Sequence, residues 1–157
     1  MFGLSSSSSY AVLALSSLAG AGESWILARD LAEAIDAPLP YLSKILHGLA
    51  GAGIVEAKRG YRGGFRLIRD VDQLTVGEIV IAIEGPGFLE GCLLGKAECS
   101  DRRACPAHAF WGLERERIRS QLQRMTLADV ARFERAAGRG LKLPPEPQAK
   151  PANPGPR

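Results

Sequence analysis

The chain has 157 residues, 46% of them hydrophobic, and a formal net charge of +3 at pH 7. This length suits one folded unit with appendages and is short for two independent domains. No window approaches the ~18 uninterrupted apolar residues of a membrane-spanning helix, so we expect a soluble protein of the cytoplasm with no membrane contact. The net charge is too small to indicate nucleic acid by itself.

Apolar residues at helical spacing predict two helices near the start of the chain. The first covers about residues 6–19, begins within a run of serines, and ends at a pair of glycines. Ser24 can cap the second helix, whose apolar face starts at Trp25 and Ile26 and which ends near Asp36. We expect Trp25 to be an anchor of the core or of an interface.

A third helix, about residues 39–52, is predicted next, since a proline suits its first turn and apolar residues recur at helical spacing. Two short, half-apolar segments at 54–57 and 65–68 then predict a pair of strands. The loop between them is rich in glycine, and residues 58–69 hold five bases and no acid. Two helices joined by a tight turn and followed by a basic hairpin predict a winged helix-turn-helix over residues 1–72.

This arrangement indicates binding to double-stranded DNA. The third helix can enter the major groove, where Lys44 is the first candidate for base contact because it lies early in the helix. Basic side chains of the wing can reach phosphates, and its glycines let the backbone approach the sugar-phosphate edge. An ordinary helical core with a solvated basic hairpin is the alternative that the pattern leaves open. The candidate DNA-binding residues are Pro40, Tyr41, Ser43, Lys44, His47, Lys58, Arg59, Gly60, Tyr61, Arg62, Gly63 and Gly64.

Residues 73–140 are predicted to form further helices around a cysteine loop. Thr75 can cap the first, which ends at a Gly-Pro-Gly break. A helix of about twenty residues follows Cys105, with Trp111 in its apolar stripe as a core or interface anchor. At ~30 Å this helix is too long for the core alone. We therefore expect it to be a dimerisation helix, covered by a second copy of the chain in a homodimer.

The last predicted elements are a short helix and a tail. A helix is predicted over residues 126–137, with Thr126 as its cap and Leu127, Val130 and Phe133 facing inward. In the segment 141–157, six of seventeen residues are proline. Such a composition cannot build a packed element, so we expect a disordered, proline-rich tail.

The three cysteines, Cys92, Cys99 and Cys105, lie within fourteen positions of one another. This odd, clustered set does not fit a secreted disulfide framework. His108 lies three residues after Cys105 at a helix start, so these two side chains share one face. Thiolates and imidazole suit an iron-sulfur cluster or zinc, and two thiols alone can form a redox switch. The spacing leaves all three chemistries open.

Eight segments together carry a family resemblance: Ser9 to Val12, Tyr41 to Leu49, Gly53 to Val55, Arg62 to Leu67, Val76 to Ile79, Ile83 to Gly85, Cys105 to Trp111 and Thr126 to Asp129. They are similar to the Rrf2 family of bacterial winged helix-turn-helix regulators, over about residues 4–133. The resemblance implies a dimeric repressor or activator. In such a protein a sensor site near the dimerisation helix changes the affinity for an operator.

In the cluster-binding members of that family, three cysteines and often a histidine hold a [2Fe-2S] cluster. This ligand set corresponds to Cys92, Cys99, Cys105 and His108, although the first cysteine gap is six residues here and five in the usual pattern. Another subgroup uses an acidic residue of the first helix, but Ser9 precedes the tyrosine here, so the histidine is the implied fourth ligand. The resemblance thus implies a repressor that senses redox, iron-sulfur or nitrosative status.

No catalytic motif suggests an enzyme. The sequence has no nucleotide-binding loop, no nucleophile motif and no recognisable pair of catalytic carboxylates. Two other functions are weighed against a cluster-controlled regulator. One is a cluster-free winged-helix regulator that uses thiols, zinc or a protein partner, and the other is a small iron-sulfur redox protein.

Overall fold

The computed structural model describes residues 3–95, 99–100, 102 and 105–138. In this part of the chain the elements are, in order, α1 (Ser6–Ala21), α2 (Ala28–Ala34), α3 (Leu39–Gly51), β1 (Val55–Lys58), β2 (Gly64–Leu67), α4 (Val76–Glu84), α5 (His108–Arg124) and α6 (Leu127–Ala136). The strands pair antiparallel, with Val55 opposite Leu67 and Lys58 opposite Gly64. The predicted class, mainly helical with a small β-wing, is confirmed.

The predicted division of the chain places a domain boundary between residues 72 and 73. The boundary between residues 72 and 73 stays a prediction, because α1 packs against elements on both sides of it. The predicted disordered tail at 141–157 lies outside the described residues.

Helix α1 forms the centre of the core. Its Leu15 and Leu18 are buried, and the helix contacts α2, α3, α4, α6 and β2. The helix begins within the serine run because Ser5 acts as its N-cap and accepts a hydrogen bond from the Ser8 amide at 3.1 Å. Later serines are buried with their hydroxyl groups hydrogen-bonded inside the helix: Ser16 Oγ donates to the Val12 carbonyl at 2.8 Å.

The predicted start of the second helix was wrong. Trp25 and Ile26 are extended, and α2 begins only at Ala28 without a side-chain cap. The reason is a pairing with the wing: Ile26 and Phe65 exchange two backbone hydrogen bonds, of 3.0 and 2.8 Å. Ile26 is buried in its extended conformation, and a helix would bury an apolar residue here as well. The apolar pattern therefore could not distinguish a helix from an extended segment. The extended segment before α2 is therefore held beside β2 by an isolated bridge.

Two capping boxes lie side by side and join α4 to α6. Thr75 caps α4 with Glu78, and Thr126 caps α6 with Asp129. The two threonines pair as an isolated bridge, and the Val76 amide donates to the Met125 carbonyl at 2.8 Å. The predicted capping roles of both threonines are confirmed, and the caps fix the ends of both helices against each other.

The predicted face of the last helix was partly wrong. Leu127 is fully buried, but Phe133 is 64% exposed and Ala131 occupies the buried face instead. Six helical steps turn Phe133 by about 120° from Leu127, which is outside a narrow contact stripe. Within the described residues, no helix has both the length and the apolar character needed to cross a membrane.

Candidate functional site

Helix α3 separates into a buried face and a solvent face. Leu42, Leu46 and Leu49 are fully buried, and this packing turns the opposite face outward. On the outward face Lys44 is exposed and Ser43 is half-buried, one turn after the start of the helix. Pro40 is exposed at the second helical position. The structure therefore places the predicted base-contacting residues on an accessible helix face, as a major-groove helix requires.

Tyr41 has a structural role that the sequence did not indicate. Its hydroxyl is hydrogen-bonded to Ser7, and its ring meets Tyr10 edge-on, with centroids 6.0 Å apart. These contacts fix the start of α3 against α1. A DNA contact by Tyr41 stays a prediction.

His47 links α3 to the wing. It is exposed, and its ring meets Phe65 of β2 edge-on at a centroid distance of 5.3 Å. Because Phe65 is itself buried, α3 and the wing share a packing contact. The orientation of the wing is therefore coupled to that of α3.

The wing tip is exposed and basic. Tyr61 is 90% exposed, and the Arg62 guanidinium lies 5.4 Å from the centre of its ring. Arg62 has a φ of 59°, a left-handed conformation that residues other than glycine rarely adopt. Lys58 and Arg59 are also exposed. These side chains are available for phosphates or a groove.

Two of the predicted wing glycines serve the protein itself. A Cβ on Gly63 would lie 2.2 Å from the Lys58 carbonyl oxygen, and one on Gly64 would lie 2.3 Å from that of Ile26. Their missing side chains therefore make room for protein backbone, and Gly63 is buried. Gly60 is exposed with a φ of 88°. Contact of these glycines with DNA stays a prediction.

The structure brings two of the four predicted ligands together. Cys99 Sγ lies 3.5 Å from His108 Nδ1. Cys105 lies in the turn that opens α5, where its carbonyl accepts a hydrogen bond from the His108 amide at 2.9 Å. Cys92, Cys99 and Cys105 are each partly buried, and no disulfide joins them. Among the described residues, no three cysteine, histidine or acidic side chains are grouped as metal ligands.

The segment that leads to Cys92 is fastened to α5. Trp111 Nε1 donates to the Gly91 carbonyl at 2.7 Å, and Arg115 donates to the Glu90 carbonyl at 3.1 Å. The sequence did not reveal Arg115 because its partners are backbone carbonyls, which leave no mark on composition. These bonds place the first cysteine beside the helix that begins at His108.

Helix α5 has no buried residue. It packs on α4, where the backbone at Leu122 approaches Gly77, while Phe110 is 58% and Leu113 is 64% exposed. Residues of α1, α4 and α5 line an apolar cleft of about 600 Å³. Its lining includes Val80, Phe88, Trp111, Ile118 and Leu122.

Comparison with known proteins agrees with this geometry. Residues 4–132 match the family described as Rrf2, iron-dependent transcriptional regulator. A putative HTH-type transcriptional regulator of Aquifex aeolicus is 32% identical over 116 residues, 73% of this chain and 78% of the relative. The HTH-type transcriptional regulator IscR of Cronobacter sakazakii is 31% identical over 128 residues, 81% of this chain and 78% of the relative.

Solved structures share the fold. The structure of T. potens IscR matches with a TM-score of 0.68 and 26% identity, covering 87% of this chain and 90% of that one. CymR, described as the global cysteine regulator of B. subtilis, matches with a TM-score of 0.69 and 24% identity over 85% of this chain and 98% of its own. At that identity the CymR match supports the fold alone.

Proposed function

Because the chain belongs to the Rrf2 family of transcriptional regulators, we propose that it is a homodimeric DNA-binding repressor whose operator affinity is set by an iron-sulfur cluster. The cluster is held by Cys92, Cys99, Cys105 and His108. The contact of 3.5 Å between Cys99 Sγ and His108 Nδ1 carries this proposal, because it joins the cysteine loop to the start of α5.

DNA binding rests on the accessible face of α3 and on the basic wing. Lys44 reaches base edges from an early helical position, while Arg59 and Arg62 neutralise phosphates at the wing tip. Base contacts discriminate between sequences, whereas phosphate contacts bind all duplexes and weaken with salt. Titrations with different DNA sequences and at different salt concentrations can therefore distinguish the two surfaces.

Three variants that each remove one positive charge test this DNA-binding surface. Lys44→Ala should weaken binding to a duplex selected from a random pool by about 5- to 150-fold and leave an unrelated duplex nearly unaffected. Arg62→Ala should weaken binding to both duplexes and lower the salt slope by about 1. Arg135→Ala, at an exposed position of α6, should bind like the wild type. Unchanged affinity in both of the first two variants would show that DNA binds elsewhere.

The donor set of the cysteine segment fits an iron-sulfur cluster. Three thiols and an imidazole are soft ligands of the kind that such clusters take, and all four side chains are partly buried. When bound, a [2Fe-2S] cluster supplies a redox-sensitive centre. No residue of the sensor segment needs to act as a catalyst in this function.

Packing contacts within the chain connect the cysteine segment to the DNA-binding surface. Trp111 and Arg115 fasten residues 89–91 to α5, so a change in this segment reaches that helix. Helix α5 packs closely at Gly77 of α4, and α4 contacts α1 and α3. We infer that ordering of the cysteine segment changes the position of α5 and thereby the distance between two recognition helices. That distance must match half-sites about 34 Å apart.

The homodimer is inferred from the exposed apolar surface of α5. Phe110 and Leu113 are exposed on this helix, and its Trp111, Ile118 and Leu122 line the cleft against α1 and α4. A second copy offers the same apolar surface to the first, and a two-fold interface is self-complementary by symmetry. We infer that the two α5 helices cover each other and the cleft.

One observation favours a second mode of sensing. The three thiols lie partly buried in one short segment, and Cys99 Sγ contacts His108 Nδ1, which suits a thiol switch. In that mode two thiols give up two electrons and two protons to a peroxide and form a disulfide. A colourless, metal-free protein whose DNA affinity changes on peroxide treatment would support this alternative over the cluster.

A further inference from the structure

The outer face of the wing carries a row of three side chains. Ile26 pairs antiparallel with Phe65, so Trp25 lies opposite Arg66 on the other face of the strands. Arg66 in turn lies opposite Glu56 across the β1–β2 pair, and their side chains form an ion pair of 2.8 Å. Arg66 of β2 thus lies between Trp25 of the extended segment before α2 and Glu56 of β1.

Two cations of the wing contact the Trp25 indole. The Arg66 guanidinium carbon lies 4.7 Å from the ring centre, and Lys58 Nζ lies 5.6 Å from it. Both distances are within the range of a cation–π interaction, and tryptophan is the strongest partner for it. Trp25 is half-buried, so water screens these contacts only in part.

The backbone holds Trp25 in this position independently of its side chain. The next residue, Ile26, exchanges two hydrogen bonds with Phe65, and the missing side chain of Gly64 lets β2 approach the Ile26 carbonyl. The hydrophobic core contacts Ile26 and Phe65 on the inner face. The indole lies on the outer face, so its contacts with the two cations are separate from the core.

We propose that Trp25 is a positioning residue for DNA binding: it holds Lys58 and Arg66, and with them the wing, at a fixed place relative to α3. This inference rests on the proposed DNA-binding function. Lys58 is the residue at which β1 runs into the wing tip, so fixing it limits the directions that the tip can take. Trp25 itself carries no charge and donates nothing to phosphates in this role.

The test compares Trp25→Ala and Trp25→Phe with the wild type in titrations with a selected and an unrelated duplex. Trp25→Ala should lose about three- to tenfold in affinity for both duplexes, as expected when contacts of cation–π strength no longer order the wing. The salt slope should stay unchanged, because the same phosphates are contacted. Trp25→Phe, which keeps a weaker π face, should recover part of the loss.

A second measurement uses the DNA-free protein. Amide hydrogen exchange of residues 54–68 should be faster in Trp25→Ala than in the wild type, with α6 unchanged as the internal control. Lys58→Met combined with Arg66→Met, which keeps apolar stems without charge, should speed up exchange in the same segment.

The outcomes separate this inference from the function beneath it. If the wild type binds DNA and Trp25→Ala binds equally well, or if exchange at 54–68 does not change, Trp25 does not position the wing. If the wild type binds no DNA, the proposed function fails, while faster exchange would still show that Trp25 anchors the wing. A lower salt slope in Trp25→Ala would instead mean that phosphate contacts were lost, which contradicts the positioning role.

Discussion

The winged-helix half and the α5 half of this molecule are built differently. Helices α1 and α3 bury leucines completely, including Leu15, Leu42 and Leu46, whereas α5 buries none of its residues. The first half therefore gains its stability from contacts within one chain. The second half presents an exposed helix and a cysteine loop fastened by a few hydrogen bonds, and so it depends on what binds to it. The winged-helix half is thus stable in a single chain, whereas the α5 half needs a ligand or a second copy of the chain.

The largest effect is expected from a leucine of the first half. Leu46→Ala should lower the free energy of unfolding by about 2–5 kcal/mol, because a fully buried side chain is replaced by a cavity. Denaturant unfolding at several protein concentrations measures this loss. A cost below about 1 kcal/mol would mean that α3 is not held by its own core.

Removal of one proposed cluster ligand should abolish cluster binding and leave the winged-helix half folded. His108→Ala should lose most of the iron and sulfide bound by anaerobically purified protein, while the helical circular dichroism signal is kept. The other histidine supplies a matched control, since His47 lies on α3, and His47→Ala should retain the metal. Equal iron in both variants would remove His108 from the ligand set.

An exposed leucine of α5 tests whether this helix forms the interface between two copies of the chain. Leu113→Ala changes a side chain that is 64% exposed in one chain, so it should leave the fold unchanged. It should weaken dimerisation by roughly tenfold, because apolar area buried between two copies is lost. Sedimentation equilibrium over a range of concentrations gives the dissociation constant. A Leu113→Ala dimer as tight as the wild type would place the interface elsewhere.

The smallest effect concerns the caps that join the two halves. The Thr75 amide lowers the pKa of Glu78 below its ordinary value of 4.5, with Arg69 adding to the effect, and the Thr126 amide lowers that of Asp129 below 3.8. Their contribution is therefore complete above these ordinary values and is lost as the pH falls through the lowered ones.

Glu78→Gln should cost about 0.3–1 kcal/mol at pH 7 and reduce the loss of stability on acidification. Glu33→Gln, on the exposed face of α2, is the matched control. Unfolding curves between pH 3 and 7, a range of about 4 units around the carboxyl pKa values, measure both. An acid profile of Glu78→Gln that equals the wild-type profile would exclude the cap as a source of pH dependence.

Periodicity and capping predicted the fold well wherever local interactions determine the structure. The caps at Thr75 and Thr126 were predicted from residue type, and both are present. The errors lie where tertiary contacts prevail over local pattern. Ile26 is apolar in either conformation, and only its pairing with Phe65 makes it extended.

The candidate site was predictable in composition and less so in geometry. The exposed face of α3 and the basic wing follow from spacing, whereas the contacts of Tyr41 with α1 join residues far apart in sequence. The cysteines were conspicuous because they are rare and clustered. The bonds from Trp111 and Arg115 to backbone carbonyls left no pattern that a sequence could display.

The central claim is that the cysteine segment controls DNA binding through a cluster. The most direct test is to analyse anaerobically purified protein for iron, sulfide and visible absorption, and to titrate a selected duplex before and after the cluster is removed. We expect iron with sulfide, and a change in DNA affinity of about 5- to 150-fold on removal, typical of coupling between two sites. Protein without iron and sulfide, or with an affinity that stays the same after their removal, would contradict the account.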